Sequence, residues 1–207
     1  PVTWEVKDNV GIITIASFTA SVGDDVNEAI QAIETKLGRK PVGYVLDMRS
    51  NPGGLLDEAV AVSDVFLQKG EIVSQRGRHK GDIERYYARP GDTTGGAPLI
   101  VLVDSGSASA SEIVAGALQD HRRALVMGER SFGKGSVQTL LPLSRTSALK
   151  LTTARYFTPS GNSVQEGGIE PDIAVPQLSD PDYKTRMKLR ESDLRGHLIN
   201  EIGLDDK

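Results

Sequence analysis

The chain contains no cysteine. That excludes a disulfide framework, a thiolate zinc site and a cysteine nucleophile, and it fits a reducing or an oxidising compartment equally well. Long apolar runs are also missing: the longest, Leu99 to Val103, falls far short of the ~20 residues that span a bilayer, and no charged-then-apolar leader precedes it. Charge of one sign is missing too. Twenty-four basic residues against twenty-eight acidic ones leave a net charge of −4, so nothing points to nucleic acid as a partner. No period of 20 to 50 residues repeats, which excludes a solenoid. What remains is a globular balance, 38% hydrophobic and 25% charged over 207 residues, enough for one large domain or two small ones with a real core. The chain opens at Pro1 without a methionine and enters strand-like sequence at once, which predicts a fragment of a longer precursor whose targeting information has been removed.

Alternation of apolar and polar residues around Asp8-Asn9 predicts a hairpin from Val2 to Lys7 and Val10 to Ala16. Val26, Ile30, Ile33 and Leu37 then recur at helical spacing, with Asp24, Asp25 and Glu28 in the first turn and Gly38 after the last. Val42 to Met48 reads as a buried strand that ends in Ser50-Asn51-Pro52-Gly53-Gly54, and helical spacing resumes from Leu55 to Gln68. Glu71 to Ser74 and Ile83 to Ala88 read as a surface hairpin. A second strand, turn, helix, strand unit follows: Leu99 to Val103, Ser105 to Ser109, Ala110 to Asp120 and Ala124 to Met127. Val137 to Leu143 and Ala148 to Phe157 look like β, and Arg186 to Ile202 like a charged closing helix. The sum is an α/β protein with a mixed, largely parallel sheet, covering helices and small β-hairpin additions, whose reactive groups belong just beyond the strands' carboxyl ends.

Two small-residue turns sit at such ends. Ser105, Ser107, Ser109 and Ser111 surround the second, where free backbone N–H groups and the helix dipole favour a developing oxyanion. The ordinary explanation of a serine there is helix capping, and a nucleophile needs a base within reach. His79, His121 and His197 all lie in charged, exposed-looking settings, which argues against a Ser-His-Asp triad. Lys134 stands between glycines with no carboxylate from Ser131 to Glu166. A lysine without a counter-ion and desolvated by packing can act as a general base, although a plain loop lysine has the same surroundings. If the chain is extended from Lys134 to Leu140, Ser136 and Gln138 share its face, and the Gln138 amide could hold it.

Gly128 to Lys134 satisfies most of a phosphate-binding loop. It fails at Gly135, where magnesium needs Ser or Thr, and in leading into strand-like sequence rather than a helix. Gly53 and Gly54 are either a plain turn or a place where a backbone N–H points at a substrate carbonyl.

Taken together, these segments resemble the carboxyl-terminal processing proteases, or tail-specific proteases, serine peptidases with a Ser-Lys dyad. Gly43 to Leu56 resembles their strand and oxyanion loop, Gly106 to Ile113 their nucleophile turn, and Gly128 to Gln138 their lysine segment. Tyr156 to Gly161 and Gly168 to Asp172 resemble a later block. The resemblance covers most of residues 10 to 176. It implies a core of the crotonase or Clp-protease type, with Ser109 as nucleophile, Lys134 as general base and Gln138 as its orienting amide. It also implies an oxyanion hole from the Ala110 N–H and a glycine N–H, of Gly53 or Gly54. No metal and no cofactor are implied.

The same resemblance implies protein or peptide substrates, a PDZ domain in the full-length chain that is absent here, and export to the bacterial periplasm or membrane association. A homo-oligomer or a regulatory adaptor stays open. Residues 1 to 178 would be the protease core, with 1 to 16 available to a cap subdomain, and 179 to 207 a helical segment. Two other readings compete: a catalytically silent module that binds an apolar ligand or peptide on the same fold, and a phosphate-loop nucleotidase.

Overall fold

A computed structural model describes residues 1–79, 81–178 and 189–200. Strands β1 (Val2–Lys7) and β2 (Val10–Ile15) form the expected hairpin, and Asp8 and Asn9 both take positive φ in its turn. Helix α1 (Val22–Leu37) ends where Gly38 turns left-handed at φ 65° and returns its N–H to Thr35. Strands β3 (Gly43–Asp47), β6 (Leu99–Val103) and β7 (Leu125–Gly128) then line up in parallel with β2. With β10 (Ile173–Ala174) added at one edge, the order is β1-β2-β3-β6-β7-β10, and only the β1–β2 pair is antiparallel.

Along these strands buried residues alternate with half-buried ones. Ile13, Leu46, Val101 and Val126 are fully enclosed, whereas Ile12, Val45, Ile100 and Met127 are only partly covered. One face of the sheet is therefore packed and the other is half open. Helices α1, α2 (Leu56–Phe66) and α3 (Ala110–Asp120) pack against one another in that order. Every residue of α3 from Ala110 to Leu118 is buried. A helix apolar all round belongs inside the protein, and α3 carries its N-terminus there. No helix among the described residues is long and apolar enough to cross a membrane.

The two hairpins beyond this core differ from expectation. Strands β4 (Gly70–Arg76) and β5 (Ile83–Ala88) pair as predicted, and so do β8 (Ser136–Pro142) and β9 (Ala148–Phe157). They do not stay on the surface as separate additions. Strand β4 pairs with β9, giving one antiparallel sheet β5-β4-β9-β8, and Ile72, Val73 and Ser74 of β4 are buried in it. The closing helix expected over 186 to 202 falls partly outside the described residues. Within 189–200 the chain forms a single 3₁₀ turn, Glu191–Asp193, and is otherwise irregular, with polar groups bonded to residues 165 to 167.

Candidate active site

Strands β3 and β6 are neighbours, so the turns that follow them meet. Their contact is made of buried polar groups. Asn51, wholly buried, donates from Nδ2 to Ile15 O (2.7 Å) and accepts the Gly53 N–H at Oδ1 (2.9 Å). Its carbonyl accepts both the Ala108 N–H and the Ser111 hydroxyl, each at 3.0 Å. Asp104 takes the N–H groups of Ser50 (2.7 Å) and Gly106 (2.9 Å). The Ser107 hydroxyl donates to Met48 O (2.7 Å).

These contacts separate the serines that the sequence leaves equivalent. Ser107 and Ser111 are completely buried, with hydroxyls committed to backbone carbonyls of the other turn. Ser109 is half-buried and opens α3 in a capping-box arrangement with Glu112. Its backbone sits at φ 54°, ψ −111°, a region costing a non-glycine residue of order 1–3 kcal/mol unless the surroundings enforce it. The enforcement is visible. The Ser109 N–H donates to Glu112 Oε2 (2.8 Å), and its carbonyl accepts the N–H groups of Glu112 (2.9 Å) and Ile113 (3.0 Å). Capping is thus shared with the Glu112 side chain and backbone, and the serine hydroxyl, unlike those of Ser107 and Ser111, is not spent on a carbonyl of the other turn.

Gly53 lies directly against this serine. A Cβ added there would be 2.6 Å from Ala108 O and 2.8 Å from Ser109 Cβ, with φ at +98°. Since the Gly53 N–H is spent on Asn51, the next donor along the loop is that of Gly54. Among the described residues neither the Gly54 nor the Ala110 N–H has a hydrogen-bond partner.

Lys134 reaches the same place by another route. Glu112, wholly buried, accepts from Ser131 Oγ (2.5 Å), Gly133 N (2.7 Å) and Lys134 N (2.9 Å) as well as from Ser109. One carboxylate thereby ties the serine's backbone to the lysine's. Burial pushes this carboxyl up to about 7, against the pull of four donors that favour its ionised form. The Phe132 N–H adds a second tie, to Ser107 O at 3.0 Å.

The side chains themselves are not yet joined. Lys134 is half-buried, and no hydrogen bond links it to Ser109 or to Gln138 among the described residues. Gln138 is exposed on β8, opposite Thr152. The common face expected of Lys134, Ser136 and Gln138 fails because β8 starts only at Ser136. Gly133, at φ +96°, and Gly135, held to Gln165, bend the chain before it.

The histidines are elsewhere. His121 Nε2 contacts Glu71 O at the end of α3, and His197 pairs with Glu166 at 2.6 Å. His79 lies in the exposed turn between β4 and β5. The segment from Gly128 to Lys134 runs into a strand, not a helix, which removes the cradle a phosphate loop requires.

Glu112, Asn51, Asp104 and Gln165 escape the sequence reading. A signal existed for one of them: Ser109-x-x-Glu112 has capping-box spacing.

A strained serine at a helix start, beside unpaired backbone donors on a largely parallel α/β core, is an arrangement that can stabilise a developing oxyanion. The sequence profile of peptidase family S41 matches residues 9–175, and the chain belongs to that family. It is 54% identical over 199 residues to the carboxy-terminal-processing protease of Bartonella bacilliformis, covering 95% of this chain and 46% of that protein. It is 39% identical over 180 residues to the carboxy-terminal processing protease CtpA of Bacillus subtilis, covering 86% of this chain and 37% of the relative. Among solved structures it superposes on a photosystem II D1 C-terminal processing protease with a TM-score of 0.75 at 35% identity, covering 84% of this chain and 48% of that one. The chain thus spans less than half the length of these relatives.

Proposed function

We propose that this chain is the catalytic core of a serine endopeptidase that cleaves near the carboxyl-terminal tails of protein substrates through a Ser109–Lys134 dyad. The observation that carries the reading is the Glu112 carboxylate, which binds the backbones of Ser109 and Lys134 at once. Nothing in plain helix capping calls for the second of these bonds.

In the proposed reaction Lys134 Nζ, unprotonated and turned towards Ser109, takes the hydroxyl proton as Oγ attacks the scissile carbonyl carbon. The oxyanion forms against the Ala110 and Gly54 N–H groups, because Gly53 has already given its own to Asn51. The C–N bond breaks, the amine leaves with the proton carried by Lys134, and an ester remains on Ser109. Water attacks that ester, losing its proton to Lys134, which returns it to the departing Ser109 Oγ as the new carboxyl terminus is freed. Gln138 is assigned to hold the lysine in this closed position.

Residues 1 to 178 form the proposed protease core. A PDZ domain that delivers tails, a homo-oligomer or regulatory adaptor, and export to the periplasm or a membrane-associated site belong to the longer protein in this reading, supported by the named relatives that are twice as long. The test is turnover of casein by Ser109→Ala and Lys134→Ala, each expected to abolish hydrolysis with an unaltered circular dichroism spectrum. Near-normal turnover in either variant overturns its assignment. A folded parent with no turnover of any tail peptide returns the chain to a silent binding module.

A further inference from the structure

Lys134 is gripped from both sides, and only one grip comes from the serine's neighbourhood. On the N-terminal side Glu112 takes the Gly133 and Lys134 N–H groups. On the other side the Gly135 N–H goes to Gln165 Oε1 at 3.1 Å, while Gly133 O accepts the Glu166 N–H at 2.8 Å. Gln165 is wholly buried. Its amide is used at both ends: Nε2 donates to Leu198 O (2.9 Å) and towards Glu191 Oε1 (3.4 Å).

Those acceptors lie on the segment 189–200, which crosses the lysine loop as a strap. The Glu191 N–H reaches Phe132 O at 3.2 Å. Arg190 Nη2 donates to Glu166 O and Gly167 O at 3.3 and 3.2 Å. Glu166 fastens the far end, accepting from Asn200 N (2.7 Å) and meeting His197 Nε2 (2.6 Å).

We infer that Gln165 is a positioning residue for Lys134, and that through it the strap 189–200 holds the base-bearing loop in the geometry Ser109 requires. This rests on the assignment of Lys134 as the base. The chemistry of the position asks for an amide. Gly135 presents a buried donor and Leu198 an acceptor, and only a side chain with one acceptor and one donor answers both. Leucine at 165 leaves the Gly135 N–H unpaired. Glutamate still accepts from Gly135 but turns a second oxygen on Leu198 O and Glu191, so it keeps the loop and releases the strap. Placement errors of about 1 Å in a reacting group cost roughly 100-fold in rate, and the loss should fall on the chemical step because Gln165 is enclosed and does not face substrate.

The experiment compares Gln165→Leu and Gln165→Glu with the parent and with Lys134→Ala, combining steady-state kinetics with amide hydrogen exchange. In Gln165→Leu, kcat is expected to fall ~10- to 100-fold with KM within about twofold. Exchange at Gly135 should accelerate. In Gln165→Glu, Gly135 should stay protected while 189–200 exchanges faster, and kcat should fall less than in the leucine variant. A residue that only supports the fold would lower the melting temperature and the active fraction, leaving kcat per active site and Gly135 exchange in the folded fraction in place.

The inference is overturned by folded variants with parental kcat and KM, or by Gly135 exchange that does not respond to Gln165→Leu. Should the leucine variant not fold, the glutamate variant decides through strap exchange and kcat. A fully active Lys134→Ala would refute the base assignment instead, and Gly135 exchange would still report whether Gln165 holds the loop.

Discussion

The two halves of the site are built on different principles. On the serine side the partners are the ends of adjacent strands: Asn51, Asp104, Ser107 and Ser111 lock the turns after β3 and β6 to each other, all of them buried. On the lysine side the loop before β8 borrows its fixings from far along the chain, from Glu112 on α3 and from Gln165 and the strap beyond it. The serine's backbone is held in a strained conformation, whereas the lysine's backbone is held and its side chain makes no hydrogen bond among the described residues. In the proposed reaction the serine and the oxyanion donors are therefore preformed, and the lysine side chain is the part that has to turn. Preorganised donors cost nothing to assemble at the moment of reaction.

The sharpest way to break the serine half is Gly53→Ala. A Cβ there meets Ala108 O and Ser109 Cβ and must also accept φ +98°, so the loop retreats from the serine. A drop of ~100-fold or more in kcat/KM is expected, and an alanine variant with parental kinetics would mean that Gly53 does not touch the working geometry.

Glu112 joins the halves, so it comes next. Its carboxyl is raised from 4.5 to about 7 in the fold, which means that the folded state binds this proton more tightly than the unfolded one. The sign follows: stability declines as pH rises from about 4.5 to about 7 and levels off above. The four-donor arrangement is complete only once the group is ionised, so activity should grow over the top of the same window. Melting curves of Glu112→Gln against the parent from pH 4 to 9 check this. The variant should lose the decline, and at pH 8, with a charged acceptor gone, should turn over ~10-fold more slowly or worse. Parallel melting curves for the two proteins would refute the linkage.

Ser107→Ala separates scaffold from chemistry. Removing a hydroxyl that serves a buried carbonyl should cost ~1–3 kcal/mol in denaturant unfolding, with kcat little changed. A collapse of kcat at unaltered stability would instead make Ser107 part of the reaction.

The smallest effect is expected of Gln138→Ala. The residue is exposed and unattached to Lys134 here, so it can contribute only in the closed position, and one orienting hydrogen bond corresponds to ~5-fold in kcat. An effect exceeding that of Gly53→Ala would reverse the contrast between a preformed serine side and a lysine side that has to turn.

Much of this was legible in the residues. Helical spacing, the acidic first turn and Gly38 mark α1, and the apolar runs before Asn51 and before Ser105 mark strands whose ends meet. Those signals are local, written in neighbouring side chains, and each element obeys them. Ser109 and Lys134 were legible as candidates for the same reason, since a serine opening a helix and a lysine isolated among glycines are visible in a short window. Their roles were not distinguishable there from those of Ser107, Ser111 or a plain loop lysine.

Tertiary structure decided what depends on partners remote in sequence. It committed the hydroxyls of Ser107 and Ser111, which Met48 and Asn51 claim, and left Ser109 outside those contacts. It set which glycine N–H remains free, because Asn51 takes the first. It joined two hairpins into one sheet through β4 and β9, and it placed Glu112 and Gln165 on either side of Lys134. A side chain's hydrogen-bonding capacity is written in its residue type, but whether that capacity is spent is decided by what the fold brings within 3 Å of it.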